Sequence, residues 1–257
     1  KLWPKADIAK RLLEKAMMEF TGAPNLVEAM KKFIHKDDVV AIKPNGIAGQ
    51  KGATMATNFE LVLPLVEACI ALGVPADKIT VYEQFPGFLV GTRVMTKGHD
   101  LPAGVKTETH NNRNHPMQDV RLYQGIPTKY CKFFLDATAV IDLTMIKDHS
   151  ICGYTGTLKN ITHGNIDNPH DHHAHNASPQ IAMRLPSSRP AKCFVMRSPS
   201  SRFWRSFACS TASTTLSVTP AWCAVWRSAR RSFGKHEPPK AAPGNRNFDP
   251  IRGSEPT

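Results

Sequence analysis

Short β-branched runs alternate with a long apolar segment between residues 39 and 83, and this alternation constrains the fold most. Val39–Lys43 (VVAIK) and Ile79–Glu83 (ITVYE) have the length and composition of buried strands. Asn58–Leu72 lies between them and is apolar on most helical faces, with Gly73 directly after it as a helix stop signal. A strand–helix–strand unit of this length predicts two parallel strands joined by a right-handed crossover.

Further elements continue this pattern along the chain. Two amphipathic helices are predicted before the first strand, at Asp7–Phe20 and at about Asn25–His35. Val105–Thr109 (VKTET) and Ala139–Met145 (AVIDLTM) predict two more strands, and the polar segment 110–131 between them predicts a surface loop or hairpin. We therefore expect an α/β fold, with a mostly parallel twisted sheet and flanking helices in a three-layer, Rossmann-like arrangement.

A glycine-rich segment follows the first predicted strand, running from Lys43 to Thr54 (KPNGIAGQKGAT). A glycine-rich loop between a strand and a helix can direct free backbone N–H groups at an anion. The candidate ligand-binding residues of this loop are Lys43, Asn45, Gly46, Gly49 and Gly52. Their spacing matches neither the Walker loop nor the dinucleotide-binding glycine pattern. The sequence leaves open whether the segment binds an anion or only connects two elements.

Charged and polar side chains also follow the strand predicted at Ala139–Met145. Lys147 and His149 come directly after it, and Lys159-Asn160 follows within a glycine-punctuated segment. Because ligands of open α/β sheets bind at the carboxyl ends of the strands, we predict catalytic roles for His149, Lys147 and Lys159 and a ligand-binding role for Asn160. The alternatives are a packing or capping histidine, and lysines that extend from strand ends to water. Cys152 is interpreted as structural.

Five histidines lie within the thirteen residues 163–175. Imidazole suits Zn, Fe, Ni or Cu, so the candidate ligands of a divalent metal ion are His163, His170, His173 and His175. In an extended segment, His173 and His175 would project to the same side. The spacing matches no standard zinc motif. The sequence therefore leaves open a functional metal site and a solvent-exposed loop with incidental metal affinity.

Three segments together resemble the DUF362 family, over about residues 37–181: VVAIKPNGIAGQKGATMATN, ITVYE and VIDLTMIKDHSICGYTGTLKNITHGNI. The residues that carry the resemblance are Lys147, His149, Thr157, Leu158, Lys159, Asn160 and Gly164. The family is named for its unknown function, and the resemblance implies an association with iron–sulfur domains or with twin-arginine export. The six cysteines of this chain are scattered without a CxxC pair, so the chain has no iron–sulfur cysteine motif.

The net charge of +12 is concentrated beyond residue 181. Residues 1–181 contain 20 Lys and Arg against 18 Asp and Glu, whereas residues 182–257 contain 13 against 3. The second segment is rich in Ser, Arg and Pro, contains three of the four tryptophans, and shows no sustained period. We predict a domain at 1–181 and a separate tail at 182–257. A frameshift near residue 182 would explain this composition. The alternatives are a genuine basic, poorly ordered tail and a tail that binds RNA.

These patterns, with the family resemblance, predict a redox- or metal-associated enzyme that binds a small anionic ligand at the carboxyl edge of the sheet. The alternatives are a non-catalytic metal- or ligand-binding protein and a polyanion binder that acts through the tail. A specific nucleic-acid partner is not expected, because residues 1–181 are nearly neutral. No apolar run approaches the ~20 residues that span a bilayer. The chain begins at Lys1, so both a cytoplasmic location and export after loss of an N-terminal signal remain open.

Overall fold

The computed structural model describes residues 3–47, 55–111, 117–119, 126–174, 192–197 and 207–210, with backbone alone described at 118, 119, 154, 158, 192–197 and 207–210. All of them belong to one compact unit, Lys1–Ala212.

A six-stranded sheet forms the centre of this unit. Its strands in chain order are Val40–Pro44 (β1), Ile79–Glu83 (β2), Lys106–Thr109 (β3), Ala139–Thr144 (β6), Lys192–Arg197 (β9) and Phe207–Ser210 (β10). Their spatial order is β10-β9-β6-β1-β2-β3, and every pair is parallel except β10 with β9. The α/β fold with a mostly parallel sheet, expected from the sequence, is confirmed.

Two antiparallel hairpins lie outside this sheet. Met117–Asp119 (β4) pairs with Lys129–Cys131 (β5), and Lys147–His149 (β7) pairs with Gly153–Thr155 (β8). The helices are Ala6–Thr21 (α1), Leu26–Met30 (α2), Phe59–Leu72 (α3), Pro86–Gly91 (α4), Lys132–Asp136 (α5), Thr157–Thr162 (α6) and Pro169–Ala174 (α7). Short 3₁₀ turns occupy Ala76–Lys78 and His163–Asn165.

Side chains alternate between the two faces along each strand. Neighbouring residues of one strand therefore pack against different helices. Val40 and Ile42 of β1 face a core built with α1, α2 and α3. Ala41, between them, faces a second core that contains Phe134 of α5 and Ile161 of α6. Helices on both faces explain why β1 and β6 are buried along their whole length. The predicted three-layer arrangement follows from this packing.

The helix ends show where the sequence prediction was accurate and where it was too long. Gly73 ends α3 with φ of 109°, a left-handed conformation that favours glycine, as its position predicted. The second predicted helix, Asn25–His35, is instead the single turn and a half of α2. Asn25 caps it by accepting a hydrogen bond from the Glu28 N–H at 2.9 Å. In the described part of the chain, no helix is long and apolar enough to cross a membrane.

Strands β9 and β10 lie beyond residue 181, within the segment predicted to be a separate tail. β9 pairs in parallel with β6, from Ala139 opposite Lys192 to Thr144 opposite Arg197. The described sheet therefore extends into this segment. The frameshift near residue 182 and its two alternatives stay predictions about the gene and the tail.

Candidate functional site

A buried polar cluster lies at the carboxyl ends of β1, β2 and β6. It consists of Lys43, Asn45, Glu83, Asp142 and Asn160, all of them buried. Because parallel strands end at the same edge, Lys43 of β1 and Asp142 of β6 are direct partners in the strand register. Charged groups are rarely this buried unless they are paired, so the partners of each side chain decide what the cluster can do.

Lys43 and Glu83 form an ion pair in this cluster. The Nζ–Oε2 distance is 2.7 Å, and Nζ also donates to the carbonyl of Pro44 at 3.0 Å. The Glu83 carboxylate accepts two further hydrogen bonds, from the backbone N–H of Gly46 at 2.7 Å and of Gln84 at 2.8 Å. The charge of Lys43 is therefore compensated inside the protein by Glu83.

A chain of hydrogen bonds joins the rest of the cluster to β7. Lys147 donates to Asn45 Oδ1 at 2.6 Å, Asn45 Nδ2 donates to Asn160 Oδ1 at 3.0 Å, and Asn160 Nδ2 donates to Asp142 Oδ1 at 2.6 Å. Lys147 also donates to the carbonyls of Ile47 and Met55, both at 2.9 Å. An ammonium has three N–H donors, so those of Lys147 are all used within the protein.

Burial shifts the pKa values of Asp142 and Lys147, the residues at the two ends of this chain of hydrogen bonds. It raises the pKa of Asp142 to about 7, although the hydrogen bond from Asn160 and the charge of Lys43 oppose the shift. In the part of the chain that the structure describes, Asp142 Oδ2 has no hydrogen-bond partner. Burial lowers the pKa of Lys147 to about 8; the charge of Glu83 opposes this effect, and those of Lys159 and Lys43 add to it.

Gly46 is required by backbone packing. A Cβ atom at this position would lie 1.7 Å from the carbonyl oxygen of Phe88 in α4, a distance that no side chain tolerates. Its N–H donates to Glu83. The predicted ligand-binding glycines at positions 49 and 52 lie outside the described residues, so their role stays a prediction.

A second group of side chains, the histidine–cysteine cluster, consists of His149, Cys152 and His173. One potential ligand atom from each lies within 4.8 Å of the other two. The rings of His149 and His173 are stacked with their centroids 5.0 Å apart. His149 is the last residue of β7, Cys152 lies in the β7–β8 turn, and His173 lies in α7. All three are partly exposed.

Lys159 of α6 is the cation beside this cluster. Its charge acts on His149, Cys152 and His173. The side chain is partly buried, and no described residue accepts a hydrogen bond from its ammonium. Burial lowers the pKa of Lys159, with the charge of Lys43 in the same direction and Cys152 opposing. Lys159 thus differs from Lys43 and Lys147, which both have partners.

The surroundings of the two histidines in the cluster favour the uncharged form of each ring. Burial lowers the pKa of His173 to about 4, and the charges of Lys159 and His149 contribute. Burial also lowers the pKa of His149, with contributions from Lys159 and Lys147. The pKa of the Cys152 thiol is raised by burial, and Lys159 opposes that shift. Uncharged imidazoles are the form that binds metals and accepts protons.

The structure distributes the histidines that the sequence proposed as metal ligands among different surroundings. His173 joins the histidine–cysteine cluster, and the ring of buried His163 lies 4.8 Å from that of His173. His170 is exposed at the start of α7, and position 175 lies outside the described residues. The extended segment assumed around His173 is wrong, because Pro169–Ala174 is helical.

Cys152 is the member of the cluster that sequence reasoning missed. It was interpreted as structural because no activated thiolate was evident. The His149-x-x-Cys152 spacing is the signal that could have indicated it, since a tight β7–β8 hairpin returns the chain to His149. The backbone N–H groups of Ile151 and Cys152 reach His149 Nδ1 at 3.3 and 3.1 Å, which shows how tight the turn is.

These features define an α/β protein whose lysines, carboxylates and histidines converge at the carboxyl edge of a parallel sheet. The family model described as "Domain of unknown function (DUF362)" matches residues 40–226, and the chain belongs to this family. The match begins at β1 and extends past residue 181, the end expected from the sequence.

Comparison with curated proteins finds no match. Among solved structures, seven chains match. One is the crystal structure of a Thermotoga maritima protein determined by the Northeast Structural Genomics Consortium, with 13% sequence identity and a TM-score of 0.42. The alignment covers 77% of this chain and 52% of that one, so the chain spans about half the length of this neighbour.

Proposed function

We propose that the protein binds a small anionic ligand at the carboxyl edge of the sheet, with Lys159 as the main cation. The observation that carries this proposal is the state of the Lys159 ammonium. It is partly buried, and within the described residues it has no hydrogen-bond acceptor. A partly desolvated ammonium without an acceptor is costly, and an anion that enters would supply one.

The surrounding charges favour an anion as well. Lys43, Lys147 and Lys159 are close enough for their charges to influence one another. Glu83 compensates Lys43, whereas the pKa of Asp142 near 7 leaves that carboxyl partly protonated at neutral pH. The edge therefore carries more positive than negative charge. A bound phosphate or carboxylate would relieve the repulsion between Lys147 and Lys159.

His149 supplies a second donor for the proposed ligand. Its Nδ1 accepts backbone N–H groups, so the proton of the neutral ring is assigned to Nε2. An Nε2–H beside the Lys159 ammonium suits an oxygen-rich anion. Of the three predicted catalytic residues, His149 and Lys159 retain donors for a ligand, whereas those of Lys147 are used. His149 is therefore assigned the role of a second hydrogen-bond donor to the ligand, beside Lys159.

Isothermal titration of the full chain with inorganic phosphate, and separately with a dicarboxylate, tests the proposal. The Lys159→Gln variant should weaken binding about 10-fold or more, because a hydrogen bond to a charged group contributes about 1.5–3 kcal/mol. Lys78→Gln is the matched control. Lys78 is exposed and lies just before β2, at the opposite edge of the sheet.

Binding should also weaken as ionic strength rises, because the proposed site is partly exposed. If neither anion binds to the wild-type chain, or if the two lysine variants lose affinity equally, Lys159 is not the centre of an anion site. In the second case the affinity reflects only the overall positive charge.

A further inference from the structure

We infer that His149, Cys152 and His173 form a binding site for a transition-metal ion of the Zn²⁺ class. This ligand set differs from the one that the histidine-rich sequence suggested, because it includes a thiol from the β7–β8 hairpin. Two separate elements supply it, the hairpin and α7. The site shares His149 with the proposed anion site, whereas Lys159, the main cation of that site, is not one of the metal ligands.

The separations are close to those of a bound metal. With Zn–N and Zn–S bonds of about 2.0–2.3 Å, tetrahedral ligand atoms lie roughly 3.3–3.8 Å apart. The three atoms here lie within 4.8 Å of one another. Each pair must close by about 1.5 Å at most, which side-chain rotation on a partly exposed hairpin and a short helix can supply. His173 Nε2 is buried, and among the described residues it has no hydrogen-bond partner.

The donor types decide the class of metal. One thiolate and two imidazoles suit borderline and soft ions such as Zn²⁺, whereas Mg²⁺ and Ca²⁺ require oxygen ligands. The thiolate would offset part of the metal's charge beside Lys159, because binding deprotonates Cys152. Three protein ligands leave a fourth tetrahedral position open, as in zinc sites that exchange water or substrate.

His149 must reorganise locally on binding. Its Nδ1 accepts the N–H groups of Ile151 and Cys152, so Nε2 carries the proton of the neutral ring. If Nε2 coordinates the metal, the ring proton moves to Nδ1. If Nδ1 coordinates the metal, it uses the lone pair that accepts the two backbone N–H groups. Either way these two weak contacts are released. Faster amide exchange at Ile151 and Cys152 is therefore expected when metal binds.

The test uses the full chain without a histidine tag, stripped by a chelator and titrated with Zn²⁺ against a chromophoric competitor, and separately with Co²⁺. We expect one ion per chain and, with Co²⁺, a sulfur-to-metal charge-transfer band in the near ultraviolet. Cys152→Ser should abolish that band. The variants His149→Gln and His173→Gln should each weaken Zn²⁺ binding by more than about 100-fold, since loss of a ligand exceeds the 10–100-fold cost of losing an outer-shell partner.

His170→Gln is the matched control, because His170 lies on the same helix and is exposed. It should leave affinity and spectrum unchanged. Cys152→Ser, which is nearly isosteric and partly exposed, covers the case in which a histidine variant fails to fold. The inference is overturned if the wild-type chain binds no stoichiometric metal, if the charge-transfer band is absent, or if His170→Gln weakens binding as much as His173→Gln.

Lys159→Gln separates this inference from the proposed function. It should weaken phosphate binding about 10-fold or more. It should retain Zn²⁺ at unchanged or higher affinity, because a repelling cation is removed. A Lys159→Gln variant that loses Zn²⁺ contradicts the inferred ligand set, and one that binds phosphate as tightly as the wild type contradicts the proposed function.

Discussion

Replacement of Asp142 by Asn should stabilise the protein at neutral and higher pH. Asp142 is fully buried in β6, and its Oδ1 accepts a hydrogen bond from Asn160 at 2.6 Å. No described residue donates a hydrogen bond to its Oδ2. Burial raises its pKa from 3.8 to about 7, although Asn160 and Lys43 favour the charged form; Glu83 adds to the increase. Ionisation of this carboxylate therefore lowers the free energy of unfolding.

The size and sign of the effect follow from the pKa shift. Because the folded state holds this proton more tightly than the unfolded state, the contribution of Asp142 to stability is complete below about pH 4 and is lost as pH rises to about 7. The rise in the pKa of Asp142 from 3.8 to about 7, at about 1.36 kcal/mol for each tenfold change in proton affinity, gives a penalty of at most about 4 kcal/mol above pH 7. Asn keeps the acceptor for Asn160 and removes the charge.

Urea unfolding followed by circular dichroism, at several pH values between about 4 and about 8, measures the difference. We expect Asp142→Asn and the wild type to be similarly stable at the acid end and to diverge steadily above it. Asp136→Asn is the control, because Asp136 is exposed and pairs with Lys132 in the same helix. The reasoning is refuted if the two stability curves of Asp142→Asn and wild type run parallel, or if the variant is less stable at about pH 8.

Two further substitutions test the packing and the ion pair at the same edge. Gly46→Ala should destabilise by at least the 1–3 kcal/mol typical of overpacking, because the new Cβ would overlap the Phe88 carbonyl; the urea midpoint measures it. Lys43→Met should cost roughly 3–5 kcal/mol, since it leaves the buried Glu83 carboxylate without its counter-ion; the same assay applies, with retention of secondary structure checked by circular dichroism.

Matched controls exist for both substitutions. Gly87→Ala lies in α4, where an added Cβ meets no atom within 4 Å, so it should be neutral or slightly stabilising. Equal losses at Gly46 and Gly87 would contradict the packing argument. Lys36→Met removes an exposed lysine that pairs with Asp37 and should change stability by under about 0.5 kcal/mol. A loss at Lys43 no larger than this would show that the buried pair contributes little.

The sheet and its edge could be predicted from the sequence because local patterns determine them. Alternating β-branched runs and the glycine after α3 require only neighbouring residues, and they predicted β1, α3 and β2 closely. Parallel topology then brings the carboxyl ends of the strands together whatever the side-chain details. The same local information carried the family resemblance, and the match over residues 40–226 confirms the family.

Only the tertiary structure decided which of the polar residues keep hydrogen-bond donors for a ligand. Lys43, Lys147 and Lys159 look alike in the sequence, yet Glu83 from a different strand pairs with the first and three acceptors hold the second. Such partners lie 40 to 102 residues away along the chain, so no sequence window contains them.

The histidine-rich segment shows the same limit. Its composition indicated metal binding, but the sequence could not show that α7 brings His173 against a hairpin that holds His149 and Cys152. It also suggested an extended chain where a helix forms, because six residues contain too little periodicity to distinguish the two. Local sequence patterns therefore determined the scaffold of this protein. Long-range packing decided its chemistry, because pairing and desolvation depend on residues that only the fold brings together.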